Sequence, residues 1–151
     1  MLGAVLSDGD RIRTLLGQYC ERIDAGDFEG VGALFARGRL ADEHGNELAR
    51  GAEAVAAFYA STEQLHDGSP RTKHLVLNTA IEEEDAGMLV ARSSYVVLQA
   101  VDRFPLQPII AGRYVDRFER DGTGWHFSER RFLVDLTGDL SHHLTPPFFG
   151  A

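Results

Sequence analysis

Cysteine is nearly absent from this chain. Cys20 is the only one among 151 residues, so no intramolecular disulfide can form. It falls within an apolar helical stripe and reads as a small buried hydrophobe; the expected compartment is a reducing cytoplasm. Basic charge is also scarce. Fifteen Lys and Arg face twenty-three Asp and Glu, the net charge is −8, and Arg130-Arg131 is the one adjacent basic pair. Nucleic acid and anionic membranes need a basic face, so neither is an expected partner. No apolar run approaches the roughly 20 residues that span a bilayer. The opening Met1-Leu2-Gly3-Ala4-Val5-Leu6 is too short and too uncharged to read as a signal peptide.

Metal and nucleotide signatures are missing too. The histidines are His44, His66, His74, His126, His142 and His143, with neither an HExxH nor a CxxC pattern among them. His142-His143 reads as an incidentally exposed pair on a tail. Gly122-Thr123-Gly124 reads as a hairpin turn rather than a phosphate loop. The expectation is a protein without metal or cofactor.

What remains is an ordinary globular composition, 44% apolar and 25% charged. One domain over residues 1–151 can bury roughly 70% of its unfolded surface. The first helix starts at Ser7 or Asp8 and stops at Gly26. Its apolar stripe is Ile12, Leu15, Leu16, Tyr19, Cys20 and Ile23. Asp27 caps a second, short helix carrying Phe28, Val31, Leu34 and Phe35, closed by Gly38. Residues 39–51 read as a small hairpin turning at Gly45-Asn46. A third, alanine-rich helix packs through Val55, Phe58 and Tyr59, and residues 61–72 read as a loop.

From Lys73 the apolar period changes to two. Strands are expected at 73–82, 88–101, 109–120 and 125–135. A charged turn spans 83–87, a two-proline loop 102–108 and a hairpin turn 121–124. Helices first and a long meander afterwards argue for an α+β fold with helices on one face of a curved antiparallel sheet. Residues 137–151 have no clear period. Pro146-Pro147-Phe148-Phe149 is left as cover for a cavity mouth or a neighbouring subunit, or as a disordered end.

Tyr19 lies inside the helical stripe and Asp24 at its edge, while His74 opens the first long strand. Phenol, carboxylate and imidazole converging on one apolar cavity would form a cofactor-free acid/base site. Each has a plainer reading: Tyr19 as core, Asp24 as a capping or surface residue, His74 as a satisfied rim histidine. Asp24 sits where the helix dipole disfavours a carboxylate, so it needs a partner or solvent. Ser93, Tyr95, Val97 and Gln99 share one strand face that mixes polar and apolar groups, as a lined pocket would. Asp116 shares a face with Tyr114 and Phe118 and reads either as inward-pointing or as the ion-pair partner of Arg131 or Arg130. Phe35, Phe58 and Tyr59 read as wall.

Several stretches together resemble the NTF2-like superfamily in its SnoaL-like and scytalone-dehydratase-like branch. They are Tyr19-Cys-Glu-Arg-Ile-Asp24-Ala-Gly-Asp27, Leu34-Phe35, Gly51-x-Glu-Ala-Val-x-x-Phe58, Lys73-His74 and Gly112-Arg-Tyr-Val-Asp116 leading to Gly124-Trp125. The resemblance covers about residues 8–136. It implies a cone of three helices on a curled sheet, with Asp24 orienting His74 and Tyr19 holding a substrate carbonyl. Dehydratases of this type carry a second catalytic histidine where this chain has Val97, Leu98 and Gln99. The superfamily also includes isomerases, polyketide cyclases, hydrolases and non-catalytic subunits, so fold alone does not assign function.

The expected function is a cofactor-independent lyase or isomerase acting on a small hydrophobic cyclic or aromatic carbonyl compound. His74 would be the base, Asp24 its orienting partner and Tyr19 the group polarising the carbonyl. An isomerase variant would pair Tyr19 with Asp116 or Asp42. Phe35, Phe58, Tyr59, Tyr95, Val97, Gln99, Tyr114, Asp116 and Arg131 are the expected pocket residues. The alternative is a non-catalytic ligand-binding or small-subunit module, as in aromatic-ring oxygenases. A homodimer or homotrimer is expected, with Val96, Leu98, Ile109 and the aromatic tail as apolar cover.

Overall fold

A computed structural model describes residues 5–146. The first helix, α1 (Asp8–Asp24), begins at Ser7, whose Oγ accepts the Asp10 N–H at 3.1 Å while Asp10 accepts the Ser7 N–H at 3.2 Å. This reciprocal cap satisfies two otherwise orphaned donors and contributes about 1 kcal/mol. Ile12, Leu16, Tyr19 and Ile23 form its buried face. The helix stops at Gly26, whose φ is 74° and where a Cβ would stand 2.7 Å from the Gly68 carbonyl oxygen, too close to be accommodated. That stop leaves Asp24 as the last helical residue. Asp27 then caps α2 (Phe28–Leu34) by accepting the Gly30 N–H.

Two short strands, β1 (Arg39–Ala41) and β2 (Glu47–Arg50), form the expected small hairpin, followed by α3 (Gly51–Thr62). The meander is β3 (Thr72–Asp85), β4 (Met88–Val101), β5 (Phe104–Asp121) and β6 (Gly124–Thr137). All six strands join one sheet in the order β2-β1-β6-β5-β4-β3, antiparallel except for the β1–β6 pair. Three helices therefore pack on an open, curved, mainly antiparallel sheet, the α+β cone expected from the sequence. Register shifts interrupt every antiparallel pairing, and such bulges bend strands. One lies at Asn78, whose φ is 56°.

Three expectations need correction. Residues 104–108 extend β5 rather than forming a loop, despite Pro105 and Pro108. They pair only with β4, because β6 joins β5 from Ile110 onward, so the strand there has a free side that tolerates proline. Ile109, expected as oligomer cover, is fully buried with Tyr95, Val97, Phe104 and Tyr114. Residues 139–145, expected to carry His142-His143 as an exposed pair, lie across the end of α3, with Glu63 bridged to Leu144. Of the aromatic tail, Pro147, Phe148 and Phe149 lie outside the described residues. Among the described residues, no helix is long and apolar enough to cross a membrane.

Candidate active site

The site grows from the end of α1. Asp24 meets the start of β3, where its Oδ1 accepts from His74 Nδ1 at 2.6 Å and from Thr72 Oγ1 at 2.9 Å. Its Oδ2 accepts the His74 backbone N–H at 3.0 Å. Burial alone would raise the Asp24 carboxyl, but these hydrogen bonds outweigh it and hold the group below the ordinary carboxylate range. The helix dipole penalty at this position is thus offset by three donors from β3. With Nδ1–H committed to a carboxylate, the His74 ring presents Nε2 as its free lone pair.

His74 borders an apolar cavity of about 330 Å³ whose wall includes Tyr19, Phe58, Tyr59, Tyr95, Val97, Tyr114 and Phe132. The pairing of β3 with β4 sets His74 opposite Val97 and Val76 opposite Tyr95, so the cavity face of both strands is fixed by register. Tyr95 stacks on Tyr114 with ring centroids 4.2 Å apart. Tyr19 approaches His74 edge to face at 6.1 Å, and its hydroxyl lies 2.9 Å from that of Tyr59. Burial raises both phenols, so each remains a neutral donor.

Beneath the tyrosines lies a fully buried ion pair. Arg130 Nε and Nη2 donate to the two oxygens of Asp116 at 2.7 and 2.8 Å. The guanidinium carbon lies 4.1 Å from the Tyr19 ring centre and 3.8 Å from that of Tyr114. Burial raises the Asp116 carboxyl against the pull of Arg130, while Asp116 helps hold Arg130 protonated. The two-pronged geometry is that of an ionised pair. It supports the tyrosines from behind and does not reach the cavity.

Four residues expected in the pocket stand elsewhere. Phe35 stacks on Phe127 in the core, 4.7 Å between centroids. Gln99 is buried and donates to the carbonyls of Pro70 and His142. Asp116 is consumed by Arg130. Arg131 points away on the alternate face of β6 and donates to Glu129. Asp42, the other carboxylate of the isomerase variant, does reach the cavity rim. It is occupied there by the His44 and Asn46 N–H groups and the Asn46 side chain, which hold its carboxyl low.

Two ionisable residues of the cavity escaped the sequence reading. Glu63 and His143 both line it, both are buried, and Glu63 Oε2 and His143 Nδ1 have no hydrogen-bond partner. His143, expected on an exposed tail, is 4% exposed and lies 6.3 Å from His74 between ring centres. The segment carrying it is strapped down by Gln99 and His66 on the His142 carbonyl and by Gln64 on the carbonyls of Ser141, His143 and Leu144. Among the described residues, no group of three His, Cys, Asp or Glu is placed to hold a metal ion.

A family model for the SnoaL-like domain matches residues 4–131. The chain belongs to the SnoaL-like family. No curated protein matches the sequence significantly. Among solved structures, the SnoaL-like chain is similar to three from Novosphingobium aromaticivorans. An NTF2-like protein with a cystatin-like fold is 22% identical over 89% of this chain and 86% of its own, with a TM-score of 0.69. A candidate scytalone dehydratase is 19% identical over 87% of both chains, with a TM-score of 0.68. The beta subunit of a candidate aromatic-ring-hydroxylating dioxygenase is 19% identical over 85% of this chain and 90% of its own, with a TM-score of 0.66. At these identities the likenesses establish the NTF2-like fold and no activity.

Proposed function

We propose that the cavity is the active centre of a cofactor-independent lyase or isomerase for a small hydrophobic, cyclic or aromatic carbonyl compound. The observation that carries this reading is the 2.6 Å hydrogen bond between His74 Nδ1 and Asp24 at the cavity edge. A buried imidazole whose Nδ1–H is held by a carboxylate offers Nε2 as a proton acceptor. Asp24 stabilises the imidazolium that forms, without being protonated itself. A Tyr19 or Tyr59 hydroxyl, held neutral by burial, donates to the carbonyl oxygen as enolate charge develops there. The apolar wall excludes water and strengthens both interactions.

The rival reading is a ligand-binding or subunit module, and the likeness to a dioxygenase beta subunit supports it. The oriented imidazole favours catalysis, because a binding wall needs no imidazole held in one tautomer by a carboxylate. Association into a homodimer or homotrimer in the cytoplasm accompanies this proposal. Leu106 and Leu136, each 71% exposed, are apolar surface available for such a contact.

The deciding experiment is exchange of the hydrogens beside the carbonyl of 1-tetralone in D2O, followed by NMR. The native protein should accelerate exchange and His74→Ala should lose about 10²–10⁴-fold while its fold persists. Equal exchange by both proteins would favour the binding module.

A further inference from the structure

Glu63 and His143 are buried polar residues at the cavity that neither the His74–Asp24 pair nor the packing of the fold employs. Backbone pairing brings them together. The Gln64 N–H donates to the His143 carbonyl at 2.8 Å, and the Thr145 N–H donates to the Thr62 carbonyl at 2.9 Å. Both residues line the cavity together with His74, and the His143 ring centre lies 6.3 Å from that of His74. Glu63 is 7% exposed, and its Oε2 lacks a partner. A buried polar atom left so costs about 1–3 kcal/mol, a penalty that a ligand oxygen would remove.

The groups facing Glu63 fix its state. Asp24 and Tyr19 come from α1, Tyr59 from α3, His74 from β3 and His143 from the strap. No lysine or arginine is among them, and the Arg130 guanidinium is bound to Asp116. Burial, reinforced by the Asp24 carboxylate, pushes the Glu63 carboxyl up to about 8. Burial pushes the His143 imidazole down to about 3. At neutral pH the cavity thus holds a protonated carboxylic acid beside a neutral imidazole. A carboxylic acid kept neutral in an apolar site is a proton donor.

We propose that Glu63 is a second catalytic residue, the general acid that protonates an oxygen departing from the carbon β to the substrate carbonyl. The assignment rests on His74 as the base. His74 Nε2 takes the proton from the carbon next to the carbonyl, and that C–H electron pair forms the new carbon–carbon double bond. The β-carbon–oxygen bond breaks with its pair on oxygen, the hydroxyl takes the Glu63 proton, and water leaves. His74 is left as imidazolium and Glu63 as carboxylate; transfer of one proton between them through water restores both. His143 positions the departing hydroxyl as a hydrogen-bond partner.

Glu63→Gln is the decisive variant, since its amide keeps shape and donor capacity but has no proton to transfer. Three probes are used. With 3-hydroxy-1-tetralone, whose loss of water gives 1-naphthol, Glu63→Gln should be slower by about 10²–10⁴-fold. With 3-fluoro-1-tetralone, whose fluoride leaves without protonation, Glu63→Gln should work near the native rate while His74→Ala loses both eliminations. With 2-methoxytetralin, whose ether oxygen only accepts and which has no carbonyl to enolise, native binding should weaken above about pH 8 and Glu63→Gln binding should stay flat. Native protein inert towards the hydroxy ketone, or Glu63→Gln equally impaired on both leaving groups, overturns the proposal. So does ether binding flat with pH in both proteins. Loss of fluoride elimination unaffected by His74→Ala removes the base role alone, and the ether titration then still decides Glu63.

Discussion

Asp24 grips His74 twice, through the ring Nδ1 at 2.6 Å and through the backbone N–H at 3.0 Å. The double contact ties the last turn of α1 to the first residues of β3 and sets the imidazole orientation before any ligand enters. Thr72 adds a third donor to the same carboxylate. Binding energy need not be spent on arranging the imidazole.

This relationship predicts an acid limb of stability. The folded Asp24 carboxyl lies below its ordinary value, so its contribution is fully present above about pH 4 and is lost as pH falls through the lower folded value. Asp24→Asn should remove that dependence and lower the melting temperature at pH 7. It should also slow turnover by up to about 10⁴-fold, because the amide no longer holds the productive tautomer. Thermal scans of both proteins from pH 2 to 7 check the first claim. Parallel acid limbs in the two proteins would contradict it.

The Arg130–Asp116 pair makes a different prediction. Both side chains are fully buried, so removing one leaves the other charged without a counter-ion. Asp116→Ala should destabilise the fold by about 3–5 kcal/mol. Replacing both with apolar residues of similar size should recover part of that loss. Denaturant unfolding of the single and double variants measures the difference, and a single variant as stable as the native protein would refute the ionised pair.

Local pattern carried much of the fold and part of the site. The stripe from Ile12 to Ile23 marks α1, and the change to period two at Lys73 marks the meander. Tyr19, Asp24 and His74 lie on those strongly patterned elements, so their convergence was legible. Glu63 and His143 were not, because both owe their position to the 63–144 bridge, a contact between distant and unpatterned stretches. The same limit applies to Arg130 and Arg131. Adjacent strand residues face opposite ways, and which of them meets Asp116 depends on the register of β5 with β6 and its shift between Arg117 and Phe118. A phase signal existed for His143 only in its neighbours, since Leu140 and Leu144 bracket it with apolar side chains.

Glu63 should leave a signature of opposite sign to Asp24. Its folded value near 8 exceeds its ordinary 4.5, so the folded chain keeps a proton that the unfolded chain gives up between those limits. Stability is therefore lost as pH rises from about 4.5 to about 8. His143 adds to the acid side: held neutral with a value near 3, it resists a proton that the unfolded chain accepts below about 6.5. Glu63→Gln should flatten the alkaline decline and leave the acid limb in place. A melting temperature whose fall between pH 5 and 8.5 is unchanged by the substitution would contradict the raised carboxyl.

The last prediction concerns the strap over the cavity. Gln99 holds backbone rather than facing the cavity, donating to the Pro70 carbonyl at 3.0 Å and to the His142 carbonyl at 2.9 Å from a fully buried amide. Gln99→Leu has similar bulk and keeps β4 packed, but it leaves both carbonyls short of a buried donor. The His142 carbonyl retains His66, and the Gln64 contacts remain, so residues 140–145 should loosen rather than detach. Losing two such bonds lowers stability by about 1–3 kcal/mol, concentrated where the strap meets β4. Amide hydrogen exchange should quicken at His143, Leu144 and Thr145, whose N–H groups are bonded to Leu140 and Thr62 carbonyls, while β5 and β6 amides keep their protection. Because His143 rides on this segment, ligand affinity should fall with it. Unchanged exchange at these three amides would mean that Gln99 serves only to fill the core.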